Sequence, residues 1–487
     1  MSIRQKTILG ILAIVIAAAG IGGCFIFHSN RPTRSPARAG APALSSYPDS
    51  PFGMLPFFSF SEPMTKKSAP PGPEKFDFKP TKDLGIKWGR AHYLIWLMVQ
   101  PGKEAVDKKI YDWSNSDSVL GSYPKGFNVV ENIAAFPARM DELGEHLENF
   151  SFPVKEAEED YLRFVRKGVE RYDGDGKDDM PGLKNPIKYW QIENEPDLKA
   201  KEDWEGYANL LKITYEGIKS ACADCQVVIG GMGGDMRGLK EFFEPAVKKL
   251  GGKYFDIFDY HCYGTKGDWK KCGALAGEIR KAFPDYDFEI WLTETGTWSG
   301  SPDYPPGLPP QTEKDQAKSI VKFYIDPLSR GVKKIFWAWG ILEGFGGPEN
   351  NIFDNTGFIY DGDGPNDQGF GVKKLSYYAY KKMVEILEGS DWDIQAIIGK
   401  NDIHAYKFLK NGKPAWVAWN ESDSEKEITI EGVRSATVII TESVPDYSSG
   451  KAVKDYSTAF STKEITVKDS LVKLKINDTP VFIESGP

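Results

Sequence analysis

The sequence predicts a (β/α)8 TIM barrel followed by a C-terminal antiparallel β-sandwich, on three observations. Between residues 51 and 390, short runs rich in β-branched and aromatic residues alternate with helical stretches. The 487-residue length suits a barrel of about 250 to 400 residues plus one accessory domain. After Trp392 the pattern changes to short strands with no long helix.

The amino terminus reads differently from the rest. Arg4 and Lys6 precede an almost wholly apolar run from Thr7 to Phe27, so residues 1–27 read as an export segment. Ile21-Gly22-Gly23-Cys24 resembles a lipoprotein cleavage box, which makes Cys24 the expected lipidation site. Ile8 to Phe27 is equally long enough, at about 20 residues, for an uncleaved signal anchor. Either reading places the body outside the cytoplasm, tethered to a membrane. Residues 28–50, rich in Pro, Ser, Ala and Arg without apolar periodicity, read as a flexible linker.

The eight barrel strands follow in order. Phe52–Phe58 is the first, with Pro56 a reservation, Leu84–Arg90 the second and Phe127–Ile133 the third. Tyr161–Val169, after the acidic start Glu156–Asp160, is the helix before the fourth strand, Ile187–Ile192, which Pro196 prevents from continuing. Amphipathic Trp204–Ser220 leads to the fifth, Gln226–Gly230; Tyr254–His261, Phe288–Glu294 and Lys333–Trp339 are the sixth to eighth, and Leu375–Leu387 is the closing helix. The barrel is thus residues 51–390. Seven strands make the sandwich of residues 391–487: Ile403–Leu409, Pro414–Trp419, Glu427–Ile430, Ala436–Thr441, Glu464–Val467, Val472–Ile476 and Pro480–Ile483.

A net charge of −8 and a pI near 5.5 argue against nucleic acid as a partner, because phosphate binding needs a basic footprint. Thirteen Trp and 22 Tyr suit sugar-stacking surfaces and large cores alike. Besides Cys24 there are four cysteines. Cys225 precedes a strand at the barrel bottom and Cys262 follows one at the top, which favours the local disulfides Cys222–Cys225 and Cys262–Cys272 over a shared zinc site.

The chemistry concentrates at two strand ends. Trp190-Gln191-Ile192-Glu193-Asn194-Glu195-Pro196 closes the fourth strand, and Thr293-Glu294-Thr295-Gly296 closes the seventh, about three βα units of ~30 residues later. Asn194-Glu195-Pro196 and Thr293-Glu294-Thr295-Gly296 resemble the acid/base and nucleophile signatures of clan A retaining glycoside hydrolases. The flanking sequence resembles the β-xylosidase and α-L-iduronidase family or its bacterial relatives, over roughly residues 50 to 480. The resemblance implies Glu195 as acid/base and Glu294 as nucleophile, with Asn194 on the sugar 2-hydroxyl. It further implies Tyr263 as a donor to Glu294, His261 as a neighbour of the sugar or of Glu195, Arg90 holding the nucleophile ionised, and Trp337 or Trp339 as an aromatic floor. The alternatives are a loop-capping Asn, a core His and Tyr, a rim salt bridge at Arg90 and buried Trp packing.

No cofactor or metal is expected. Asp173-Gly174-Asp175-Gly176-Lys177-Asp178-Asp179 lacks the order of an EF-hand and reads as an Asp-Gly turn, with calcium the alternative; Asp361-Gly362-Asp363-Gly364 reads the same way. Only five His occur, which makes a His-based metal hydrolase hard to assemble. The expected function is therefore retaining hydrolysis of β-linked glycosides or polysaccharides. The rival is a carbohydrate-binding protein on a barrel scaffold that has lost turnover. Loops 298–312 and 340–371, long insertions at the catalytic face, are where substrate choice is expected to lie.

Overall fold

A computed structural model describes residues 50–63, 72–135, 152–200, 202–344, 350–364, 367–400 and 402–486. The export segment, Cys24 and the linker up to residue 49 lie outside them. Among the described residues no helix is long and apolar enough to cross a membrane.

Eight parallel strands close a barrel: β1 (Phe52–Leu55), β2 (Trp88–Ile95), β3 (Asn128–Ala134), β4 (Tyr189–Ile192), β5 (Gln226–Val228), β6 (Ile257–Tyr263), β7 (Glu289–Gly296) and β8 (Val332–Ala338). They pair in chain order, and β1 closes the ring by pairing with both β8 and β2. Around them run α1 (Ser114–Ser122), α2 (Glu158–Tyr172), α3 (Trp204–Ala221), α4 (Trp269–Ala282), α5 (Glu313–Ser329) and α6 (Leu375–Leu387). In α2 the buried residues Tyr161, Phe164, Val165, Gly168, Val169 and Tyr172 recur at helical spacing, and Glu158, Glu159 and Asp160 sit in its first turn.

Side-chain alternation along the strands builds the barrel interior in layers. The lower layer is apolar: Trp88, Val130, Val228, Ile257, Trp291 and Phe336 pack together. Two residues further along β2, β6 and β7 come Arg90, Asp259 and Thr293, joined by Gln191 of β4, and all four are buried. Above them lie His92, His261 and Glu294. A bulge in the β6/β7 pairing, between Tyr260 and His261, lets both Thr293 and Glu294 reach the interior.

Several strands are shorter than the sequence expectation, the first stopping at Leu55 and the sixth beginning at Ile257, and two boundary differences move a candidate residue. The segment before Trp88 is not strand, because Lys79–Asp83 is a short helix capped at Leu84, and Gly85 turns the chain with φ +73°. Arg90 therefore stands near the beginning of β2 and not at its end. The sixth strand runs on to Tyr263, so Cys262 lies within it and not after it.

The C-terminal part comprises β9 (Ser390–Lys400), β10 (Ile403–Lys410), β11 (Lys413–Asn420), β12 (Lys426–Glu431), β13 (Thr437–Glu442), β14 (Thr462–Thr466), β15 (Leu471–Ile476) and β16 (Val481–Ser485). Six form an antiparallel sheet in the order β9-β10-β11-β16-β13-β14, and β12 pairs with β15. Strand β9 was not expected. It is an edge strand, largely exposed from Asp391 to Gly399, so it lacks the buried alternation by which the others are read. In β10 and β11, Ala405, Trp416 and Ala418 face the β12/β15 ribbon, whereas Tyr406, Phe408, Val417 and Trp419 join the core around the barrel.

Candidate active site

Glu195 follows β4 by three residues and takes a left-handed backbone conformation, φ 51° and ψ 52°. Its N–H donates to the Gly231 carbonyl at 3.0 Å, and Asn194 bridges to Gly231 in parallel, so β5 sets the height of the acid. Two glycines after β5 make room. A Cβ on Gly231 would stand 2.1 Å from His261 Nε2, and one on Gly233 would stand 2.7 Å from the Glu195 carboxyl carbon.

The two acids meet at the top of the barrel. Glu195 and Glu294 are both 4% exposed, and one carboxylate oxygen of each lies within 4.8 Å of the other and of a His261 ring nitrogen. Their surroundings differ. Glu294 Oε1 accepts from Arg90 Nη1 at 2.5 Å, and its Oε2 accepts from the Tyr263 hydroxyl at 2.7 Å. Burial would raise its pKa, but the charges of His261 and Arg90 and the hydrogen bonds of Tyr263 and Arg90 outweigh it and hold the carboxyl below its usual range. Among the described residues the Glu195 carboxylate has one hydrogen-bond partner, Oε1 lying 2.8 Å from His261 Nδ1, and its buried Oε2 has none.

His261 is therefore the neighbour of Glu195. Burial disfavours its charged form, yet Glu294, Asp259 and Glu195, the last as a carboxylate, push its pKa up to about 10. Tyr263, raised well above its usual range by burial and by Glu294, stays a neutral donor.

Arg90 is no rim residue. It is 1% exposed, with Nε donating to Gln191 Oε1 at 2.7 Å and Nη2 to Asn194 Oδ1 at 2.5 Å, besides Nη1 on Glu294. Asn194 is thus held by Arg90 as well as by β5.

The two tryptophans separate. Trp337 is a core residue: it packs against Phe323 of α5 and against Phe358, and its Nε1 donates to the Thr356 carbonyl at 2.9 Å. The expectation that it floors the site fails because strand alternation turns Phe336 inward and Trp337 toward the helices. Trp339 follows a cis Ala338–Trp339 peptide and is half-buried, with its ring against Phe353, which in turn packs on Tyr263.

The cysteines form the disulfides Cys222–Cys225 and Cys262–Cys272. The acids of the first Asp-Gly loop accept backbone N–H groups of their own turn, with Gly174 and Gly176 on Asp179 and Asp175 on Asp173. Asp173, Asp175 and Asp179 also bring carboxylate oxygens within 4.8 Å of one another, as do Glu343, Asp361 and Asp367.

Sequence reasoning left several site residues unassigned: Gln191 and Thr293, which sit inside the quoted motifs, Asp259, and His92 as a mouth residue. His92 is half-buried above Arg90, its Nε2 has no hydrogen-bond partner among the described residues, and burial with the Arg90, Lys199 and His261 charges holds it neutral. The available signal was parity. Asp259 and Thr293 stand two residues from His261 and Trp291 respectively, which puts polar side chains on the inner face of otherwise apolar strands.

The fold is shared with solved glycosidases. A glucosidase from Croceicoccus marinus matches with a TM-score of 0.56 at 15% identity, over 90% of this chain and 97% of that one. A monomeric β-xylosidase from Caulobacter crescentus CB15 matches at 0.55 and 16% identity, over 83% and 91%. A GH51 arabinofuranosidase from Xanthomonas axonopodis pv. citri matches at 0.56 and 12% identity, over 91% and 97%. No protein-family model matches the chain, and no curated protein matches it in sequence. At these identities the likeness is one of fold: a closed parallel barrel with an antiparallel sheet behind it.

Proposed function

We propose that this chain is a retaining glycoside hydrolase that cleaves β-linked glycosides or polysaccharides by double displacement. The observation that carries the reading is the pair of buried carboxylates with oxygens within 4.8 Å and unlike partners. Retaining enzymes hold their two carboxyl groups about 5 to 5.5 Å apart, and inverting ones about 6.5 to 9.5 Å, to admit a water. The fold shared with glycosidases supports the reaction class.

Glu294, with both oxygens held by donors, is the nucleophile. It attacks the anomeric carbon while Glu195 gives its proton to the departing glycosidic oxygen; the C–O bond breaks and a glycosyl ester of Glu294 forms. Glu195 Oε2, buried and unpartnered, is the oxygen that carries that proton. In the second step Glu195, now a carboxylate, takes a proton from water, whose oxygen attacks the anomeric carbon and releases Glu294. Arg90 occupies the Asn194 carbonyl, so Asn194 offers the sugar its N–H groups, which suits an equatorial 2-hydroxyl in gluco- or xylo-configured substrates. Trp339 provides an aromatic wall beside Phe353. The apolar run before Cys24 and the two disulfides support an extracytoplasmic, membrane-tethered location.

The test is hydrolysis of aryl β-glycosides and polysaccharides by the chain from Ser50 onward, with the product anomer followed by NMR. Retention is expected, together with loss of activity in Glu294→Ala. Inversion, or equal null activity in wild type and variant, overturns the proposal.

A further inference from the structure

Beneath the two acids a chain of hydrogen bonds crosses the barrel. Arg90 on Glu294 donates to Gln191 Oε1, and Gln191 Nε2 donates to Asp259 Oδ2 at 2.5 Å. Thr293 donates twice to Asp259, through Oγ1 to Oδ2 at 2.5 Å and through its N–H to Oδ1 at 3.0 Å. His261 Nε2 lies 3.2 Å from Thr293 Oγ1, and Nδ1 lies on Glu195. Asp259 is fully buried and receives three donors, the pattern of a carboxylate. Because the Thr293 hydroxyl spends its hydrogen on Asp259, it can only accept from His261. Nε2 must then carry a hydrogen, and Nδ1 carries the second when Glu195 holds its proton on the free oxygen Oε2 and leaves Oε1 to accept.

We propose that Asp259 is a positioning residue that, through Thr293, holds His261 as an imidazolium and keeps Glu195 protonated in the resting enzyme. The inference rests on Glu195 being the acid, and it follows from charge balance in a buried site. With Glu195 protonated, the cations Arg90 and His261 are cancelled by the anions Glu294 and Asp259. In the glycosyl-enzyme Glu294 is a neutral ester and Glu195 a carboxylate, so the sum is again zero. Of the two anions in that sum, Asp259 is the one that no step alters. Without its charge the resting site carries one excess positive charge, which is relieved when Glu195 gives up its proton or His261 does.

The groups around His261 are few. Glu195 and, behind it, Asp197 follow β4; Glu294 comes from β7; Arg90 and His92 come from β2; Asp259 and Tyr263 lie on its own strand. Asp197 accepts from the Gly233 and Gly234 N–H groups and has no bond to the ring.

The test compares wild type with Asp259→Asn, Thr293→Val and Thr293→Ser. Two readouts apply: the pH profile of kcat/KM, and kcat on aryl glycosides with good and poor leaving groups. Asp259→Asn and Thr293→Val are expected to move the alkaline limb to lower pH by about one unit or more. They should lose at least about tenfold on poor leaving groups, which need acid assistance, and little on dinitrophenyl glycosides. Thr293→Ser, which keeps the hydroxyl, should behave as wild type. Nitrogen-15 NMR of the imidazoles gives a second readout that needs no turnover: at pH 8 both His261 nitrogens are protonated in wild type and not in Asp259→Asn. An unmoved alkaline limb with equal loss on all leaving groups, or an unchanged His261 titration, overturns the role of Asp259. A wild type inactive on every glycoside overturns the functional reading instead, while the NMR comparison still decides the role of Asp259.

Discussion

Glu294 and Glu195 are the same residue type in one cavity, and what separates them is the count of donors each receives. Tyr263→Phe removes one donor from Glu294, so the acidic limb of the pH profile should rise and kcat/KM should fall by about 10²-fold. An unmoved limb would show that Tyr263 does not touch the charge of Glu294. His261 contributes to stability with a defined sign. Its folded pKa, about 10, lies above its unfolded value near 6.5, so its contribution is complete below about pH 6.5 and is lost as pH rises through about 10. Denaturant titrations of His261→Gln should therefore show a shallower fall in stability over that window than wild type. Both Glu residues and their neighbours Asn194, His261 and Tyr263 were legible in the sequence because each stands in a short motif at a strand end. Trp337 was misread because strand alternation, not motif position, decides where a side chain points.

At the scale of the element, β2 holds a buried acid outside the barrel interior. Its pairing with β3 shifts register between Ala91 and Leu94, and Glu131 Oε1 fills the gap by accepting from the Tyr93 and Leu94 N–H groups at 2.5 and 3.0 Å. Burial pushes Glu131 up to about 8 despite those bonds. A raised folded pKa means its contribution is complete below about pH 4.5 and is lost as pH rises through about 8. Glu131→Gln should flatten the stability profile across that window, whereas Glu131→Ala leaves two buried N–H groups bare at about 1 to 3 kcal/mol each. Chemical denaturation at pH 5 and pH 9 distinguishes them. After β5, Gly231→Ala drives a methyl into the His261 ring, and activity should fall with the far-UV circular dichroism unchanged. Bulges of this kind were invisible in the sequence, since a register shift is a relation between two strands.

Across the whole molecule the barrel and the C-terminal sheet share one core. Tyr406, Phe408, Val417, Trp419 and Phe482 belong to the same apolar cluster as the barrel's outer residues, Trp269 packs edge-on against Trp419 with ring centroids 5.4 Å apart, and Tyr406 donates to Asp326 at 3.1 Å. Lys318 pairs with Asp478 at 2.7 Å across the same seam. A chain ending at Gly389 would bare that surface, and it should aggregate or melt well below the full chain. The full chain should unfold in a single calorimetric transition; two separate transitions would show that the parts are independent. The double apolar face of β11 was present in the run Ala415-Trp416-Val417-Ala418-Trp419, but nothing local says that one side meets a ribbon and the other a helix layer.

The amino-acid order alone determined the barrel, the antiparallel sheet after it, and the two glutamates at the ends of the fourth and seventh strands, because periodicity and strand-end motifs are local properties of the chain. Only the tertiary structure decided that Arg90 reaches both Glu294 and Asn194, that Trp337 turns away, and that Asp259 lies beneath His261. Those facts depend on which inward faces share a layer, and a layer exists only once the eight strands have closed.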